Sequence, residues 1–189
     1  MDLPCGDDSA GLTEYADAVV DAIGDRTDLV VVAHSLGGFT APLVCARVPV
    51  DLMVLAAAMV PSPGETANDW WTASGYTEAA RAQPDYGDDE IAVFLHDVKP
   101  ELAAEMLARG CDQSGTPMRE PWPLDAWPDV PTRYLLFRDD RFFPADFARR
   151  LARERLGVVA DEIDGSHCAY LSRPEELAGR LDAYLMDGR

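Results

Sequence analysis

The chain holds few side chains able to start covalent chemistry, and one of them stands in a setting that singles it out. Ala33-His34-Ser35-Leu36-Gly37 lies between an uninterrupted β-branched run, Leu29 to Ala33, and an apolar helical stretch reaching about Arg47. A serine on a strand-to-helix turn is lifted clear of the backbone and aimed off the carboxyl ends of the strands, provided the residues two before and two after it are small. Ala33 and Gly37 meet that requirement, and Gly38 gives the helix room to pack close. The Leu36 amide, at the helix N-terminus, then points to where negative charge would develop on an attacked carbonyl oxygen.

A hydroxyl nucleophile needs a base to take its proton and an acid to orient that base, in chain order Ser, Asp or Glu, His for this kind of turn. Only three histidines exist. His34 is fixed beside the nucleophile and its side chain is expected to leave on another side. His96 lies within an insertion. His167, in the turn-forming Asp164-Gly165-Ser166-His167, follows the last strand on a loop from which a base can reach back across the strand ends. Asp139 and Asp140 both follow the apolar run Tyr134 to Phe137. Asp140 stands four residues before Pro144, which can open the next helix, so it is the candidate acid and Asp139 reads as a turn residue. Asp164 is too close to His167 in sequence to be the first choice.

Positioning these groups takes a parallel sheet. Leu12, Tyr15, Ala16, Val19, Val20 and Ile23 recur at helical spacing, with Asp8 or Ser9 as cap and Gly24 as stop. The helix after Ser35 contains Pro42, which removes one backbone donor and predicts a kink. A second buried-strand run, Leu52 to Met59, completes a strand-helix-strand unit, hence a parallel pair with a right-handed crossover. From Pro61 to Pro128 the chain turns rich in Pro, Gly, Trp and acidic residues, with short helical patterns at Glu90 to Asp97 and Glu101 to Arg109. This reads as an insertion over one end of the sheet. The α/β pattern restarts with Tyr134 to Phe137, a helix carrying Phe147, Leu151 and Leu156, a strand from about Val158 to Ile163, and a final helix from Glu175 with Leu177, Leu181 and Leu185. The expected organisation is one α/β domain over residues 1–189, with a core of 1–60 and 126–189 and a cap insertion of 61–125.

Composition narrows the function classes. Apolar residues at 48% and charged residues at 26% belong to a globular chain, not a disordered one. Thirty-four acidic against sixteen basic residues give a net charge of -18, so nucleic acid and anionic membrane are poor partners. Cys5, Cys45, Cys111 and Cys168 form no C-x-x-C pair, which removes zinc-ribbon and thioredoxin-type readings. No cofactor or metal is expected. The polar, acidic opening and the shortness of the apolar run Leu52 to Val60 set a cytoplasmic, reducing location as the expectation, with no need of disulfides. Arg138, Arg141, Arg149, Arg150, Arg153 and Arg155 read as a solvated helix face paired with acids.

Taken together, the motifs resemble the α/β-hydrolases, and among them the small esterases grouped with plant methyl-ester esterases and hydroxynitrile lyases. The resemblance rests on Ala33-His34-Ser35-Leu36-Gly37-Gly38, on Tyr134-Leu135-Leu136-Phe137-Arg138-Asp139-Asp140-Arg141-Phe142-Phe143-Pro144, and on Gly165-Ser166-His167-Cys168-Ala169-Tyr170-Leu171-Ser172-Arg173-Pro174. It runs from Asp2 to the end. It implies a Ser35, Asp140, His167 triad, a parallel sheet in the order of the family's last four strands, and a helical cap from about Pro61 to Asp125. Ala33 stands where the family usually has Gly. Asp2-Leu3-Pro4 resembles the segment just after the family's fourth strand, so the chain is expected to lack the early strands and the loop giving the second oxyanion donor. Leu29 to Ala33 would then be an open, apolar edge that recruits a second copy or weakens the fold, unless the stretch before Leu12 covers it.

The function this implies is hydrolysis of a small, apolar carboxylic ester, with a small-molecule substrate as the partner. Candidate pocket walls are His34, Met59, Trp70, Trp71, Phe94 and Trp122, although packing of cap on sheet accounts for the tryptophans and Phe94 better than substrate contact does. A base role requires neutral His167, so activity is expected to rise through roughly pH 6–8. The alternative is a catalytically impaired hydrolase serving as a ligand-binding or interaction module, since loss of one oxyanion donor costs on the order of 10²–10³ in rate. Lyase members of the group place a Lys in the site, and Lys99 is the only candidate.

Overall fold

The structure, a computed structural model, describes residues 2–187. It opens with helix α1 (Leu12–Ile23), which turns Leu12, Tyr15 and Ala16 inward. Its start differs from expectation. The cap is Gly11, whose amide donates to the Glu14 carboxylate at 2.8 Å, while the Leu12 amide donates to Glu120 at 2.7 Å. A carboxylate brought in from a distant segment thus satisfies a helix-end amide that Asp8 and Ser9 do not reach.

Strand β1 (Val30–Ser35), helix α2 (Gly37–Cys45) and strand β2 (Leu52–Ala58) form the expected parallel unit, Val30 pairing with Leu52 and Ala33 with Leu55. Helix α2 runs through Pro42 and is buried from Gly38 to Cys45, held between α1 and the sheet. Five short helices then form the cap: α3 (Ala67–Ala73), α4 (Tyr76–Arg81), α5 (Glu90–Phe94), α6 (Pro100–Arg109) and α7 (Thr116–Arg119). The chain returns through β3 (Thr132–Phe137), α8 (Ala145–Leu156), β4 (Asp161–Ile163), α9 (Ala169–Ser172) and α10 (Pro174–Asp187). The sheet is parallel throughout, in the order β1-β2-β3-β4. Every residue of β2 is buried: β1 and β3 flank it, α2 packs on it, and Tyr184 of α10 clusters with Leu52 and Val54.

One strand expectation shifts. β4 is only three residues long, and Val159, read as part of it, is 92% exposed. Its acidic members are held from the side: Glu162 takes Arg149 at 2.6 and 2.8 Å and Arg138 at 3.2 Å. β1 occupies one edge of the sheet, and Val32 is 46% exposed there.

The N-terminal stretch is stitched to the cap. Ser114 N donates to the Cys5 carbonyl at 2.6 Å, Ser114 Oγ to Asp8 Oδ1 at 2.9 Å, and Thr116 Oγ1 to the Asp8 carbonyl at 2.7 Å. Cys5 and Cys111 form a disulfide across the same contact, in a chain whose size does not require one. Arg155 ties α8 to the cap through Glu65 at 2.5 and 3.0 Å, a pair largely shielded from water.

Candidate active site

Ser35 closes β1 with a φ of +52°, and the pairing of β1 with β2 shifts register between His34 and Ser35. A non-glycine residue in that region costs about 1–3 kcal/mol and persists only where the surroundings enforce it. One enforcing contact is at Gly38, where an added Cβ would lie 1.8 Å from the Met59 carbonyl oxygen. The helix thus crosses the end of β2 at a distance only glycine allows. α2 starts at Gly37 with Leu36 as its N-cap, so the Leu36 amide lies in the turn that follows Ser35.

The candidate acid and base are brought together from two loops that are far apart in sequence. Asp140 follows β3; its Oδ1 accepts the Phe142 amide at 2.8 Å and the Phe143 amide at 2.9 Å, and its Oδ2 meets His167 Nδ1 at 2.7 Å. Asp140 is 5% exposed and His167 3%. A carboxylate only accepts, so His167 Nδ1 carries a proton, and in the neutral imidazole Nε2 keeps its lone pair. Asp139 bridges the same loops, its amide donating to the Gly165 carbonyl and its Oδ2 accepting from the Gly165 amide, each at 3.1 Å. Gly165 needs its φ of +127° and close packing on Ala169 to make that turn. Asp164 points elsewhere and pairs with Arg138.

His34 departs from expectation. Its side chain does not leave the site: Nε2 donates to the His167 carbonyl at 2.8 Å, and the two rings lie 4.5 Å apart. Burial, and after it the neighbouring His167, push the His34 imidazole down to about 3, against the backbone bond that favours its charged form. It is therefore a neutral donor at ordinary pH.

Ser35, Leu36, His34 and His167 line one cavity of about 620 Å³, whose walls include Met59, Trp71 and Phe94. Two proposed wall residues are misplaced by the sequence reading. Trp70 is fully buried, with its indole N–H on the Val60 carbonyl at 3.0 Å, and Trp122 likewise donates to the Phe39 carbonyl at 3.0 Å. Both belong to the core. Sequence reasoning missed Phe142 and Tyr170 as walls; their rings stand 5.1 Å from His167 and 5.2 Å from His34. Phe142 sits inside the Asp140 motif, so the motif itself held the signal. Lys99 caps α6, is exposed, and does not line this cavity. Among the described residues no group of His, Cys, Asp and Glu is arranged to hold a metal ion, and no helix is long and apolar enough to cross a membrane.

Residues 1–180 match the model of the Alpha/beta hydrolase family. The chain belongs to that family. Among solved structures, this α/β hydrolase is similar to a pyrethroid hydrolase from Sphingobium faniae JZ-2, at 22% identity and a TM-score of 0.68 over 93% of this chain and 78% of that one. It is also similar to an extracellular alpha/beta-hydrolase from a Paenibacillus species, at 19% identity and a TM-score of 0.71, covering 92% and 79% of the two chains. A third neighbour is polyneuridine aldehyde esterase, at 18% identity and a TM-score of 0.64, with 92% and 79% covered. Identities this low establish the shared fold. No curated protein matches the chain by sequence.

Proposed function

We propose that this α/β hydrolase cleaves small, apolar carboxylic esters through Ser35, His167 and Asp140. The observation that carries the reading is the shielded Asp140–His167 pair, 2.7 Å apart, whose imidazole lines the same cavity as a serine held at positive φ. Ser35 Oγ attacks the ester carbonyl while His167 Nε2 takes its proton, and the Leu36 amide receives the developing oxyanion. Collapse of the intermediate breaks the bond to the alcohol oxygen, which takes the proton back from His167. Water, deprotonated by the same nitrogen, then releases the carboxylic acid and regenerates Ser35. Asp140 keeps the proton on Nδ1 throughout and offsets the charge of the imidazolium. The walls supplied by Met59, Trp71, Phe94 and Phe142 favour an apolar acyl or alcohol group. Neighbours whose names are esterase and hydrolase support the same reaction class.

p-Nitrophenyl acetate hydrolysis by the parent chain and by Ser35→Ala tests the reading. The parent should release p-nitrophenolate and the variant should fall to background; equal rates in both would refute Ser35 as the nucleophile.

A further inference from the structure

One cap segment grips the catalytic loops at four points, and the four points bracket both members of the acid–base pair. The Ala92 carbonyl accepts from Arg141 Nη1 at 2.7 Å, and His96 Nε2 donates to the Asp139 carbonyl at 2.9 Å. Asp139 and Arg141 are the residues on either side of Asp140. The Phe94 carbonyl accepts the Cys168 amide at 3.2 Å, and Asp97 Oδ2 accepts the Ser166 amide at 3.1 Å. Ser166 and Cys168 are the residues on either side of His167. The contacts alternate along the segment between the loop after β3 and the loop after β4.

We infer that residues 92–97 form a positioning clamp that fixes Asp140 and His167 relative to one another, with His96 and Asp97 as its side-chain members. The inference rests on the hydrolase reading above. Its physical basis is that the two loops, joined at their bases by the Asp139–Gly165 bonds, are bonded to each other at the level of the reacting groups through the 2.7 Å Asp140–His167 contact, and residues 92–97 brace the neighbours of both groups from outside that contact. Misplacement of a reacting group by about 1 Å costs on the order of 10²-fold in rate. Because α5 carries Phe94 into the cavity wall and the segment continues directly into the clamp, the wall that meets substrate and the device that aligns the base are one piece of chain.

Asp97→Ala and Asp97→Asn separate alignment from simple folding. Asparagine keeps an oxygen for the Ser166 amide and turns its NH2 toward the buried Ser172 hydroxyl beside Asp97, which can accept from it. Asp97→Ala is expected to lose roughly 10- to 100-fold in kcat with KM little changed, and Asp97→Asn to recover most of that loss. His96→Ala and His96→Gln repeat the comparison at a half-exposed position, should Asp97→Ala fail to fold; glutamine can still donate to the Asp139 carbonyl. A readout independent of turnover is the low-field proton NMR signal of His167 Nδ1–H, which should broaden or shift in the alanine variants and return in the conservative ones. An unchanged kcat and unchanged signal in Asp97→Ala or His96→Ala would overturn the clamp. So would conservative variants as damaged as the alanine variants. A parent chain without esterase activity would count against the hydrolase reading alone, since the NMR comparison still decides the clamp.

Discussion

Replacing Asp140 by asparagine changes two atoms' chemistry and leaves the shape of the side chain alone. The Asp140 carboxylate divides its work: Oδ1 accepts the Phe142 and Phe143 amides at 2.8 and 2.9 Å, and Oδ2 faces His167 Nδ1 at 2.7 Å. In Asp140→Asn the carbonyl oxygen must stay on the two amides, because turning it away would set an NH2 against two N–H groups. The NH2 therefore faces Nδ1 and donates to it. His167 is then forced into the tautomer that carries its proton on Nε2, the nitrogen proposed as base. An equivalent tautomer trap in serine proteases lowers kcat by about 10⁴, which corresponds to roughly 5.4 kcal/mol at about 1.36 kcal/mol per tenfold. Stability should fall by much less, about 1–3 kcal/mol, since both amides keep an acceptor and only the charge assistance is lost. The assay is steady-state hydrolysis of p-nitrophenyl acetate near pH 7.5, with urea melts of both proteins. A variant that folds and retains kcat within tenfold of the parent would show that Asp140 does not set the His167 tautomer.

His34 makes a pH prediction of its own. Its ordinary value near 6.5 is pushed down to about 3 by burial and by His167, so below pH 6.5 the unfolded chain takes up a proton that the native state refuses. The stability from neutral His34 is whole above pH 6.5 and is lost at about 1.4 kcal/mol per pH unit on acidification toward pH 3. Urea melts at pH 6.5, 5.5 and 4.5 should show a shallower acid loss in His34→Gln than in the parent; parallel curves would contradict the buried neutral imidazole. The two adjacent tryptophans should separate cleanly. Trp70→Ala, emptying a fully buried site packed on Phe143 and Phe147, is expected to cost about 3–5 kcal/mol in thermal or urea unfolding. Trp71→Ala, on the cavity wall, should chiefly raise KM for apolar esters.

The elements around Ser35 were legible because the turn that exposes a serine imposes strict local demands. Gly38 cannot be anything larger beneath Met59, and small residues at 33 and 37 follow from the same geometry. The parallel strands were legible as continuous apolar runs bounded by turn formers, and β2 is buried along its whole length as such a run requires. β4 was misjudged because Val158-Val159-Ala160 looks like a strand while Val159 faces water. What pairs residues far apart left no periodic trace. Cys5 and Cys111 are 106 positions apart, and the contacts of His96 and Asp97 span 43 and 69. Composition could not divide Trp70 from Trp71, although helix phase could: Ala67 and Trp70, three apart on α3, share the buried face. The inward turn of His34 was missed because its partner is a backbone carbonyl, which no side-chain pattern reveals.

The claim that Ser35 is an activated nucleophile is tested most directly by labelling with a fluorophosphonate, which phosphonylates serines made nucleophilic by an oriented histidine. The labelled protein is digested and the modified peptide mapped by mass spectrometry. A single adduct on Ser35, slowed strongly in His167→Ala and Asp140→Asn, is the expected result. A folded parent chain that takes up no label, or takes it up at another serine at an unchanged rate in Ser35→Ala, would contradict the account.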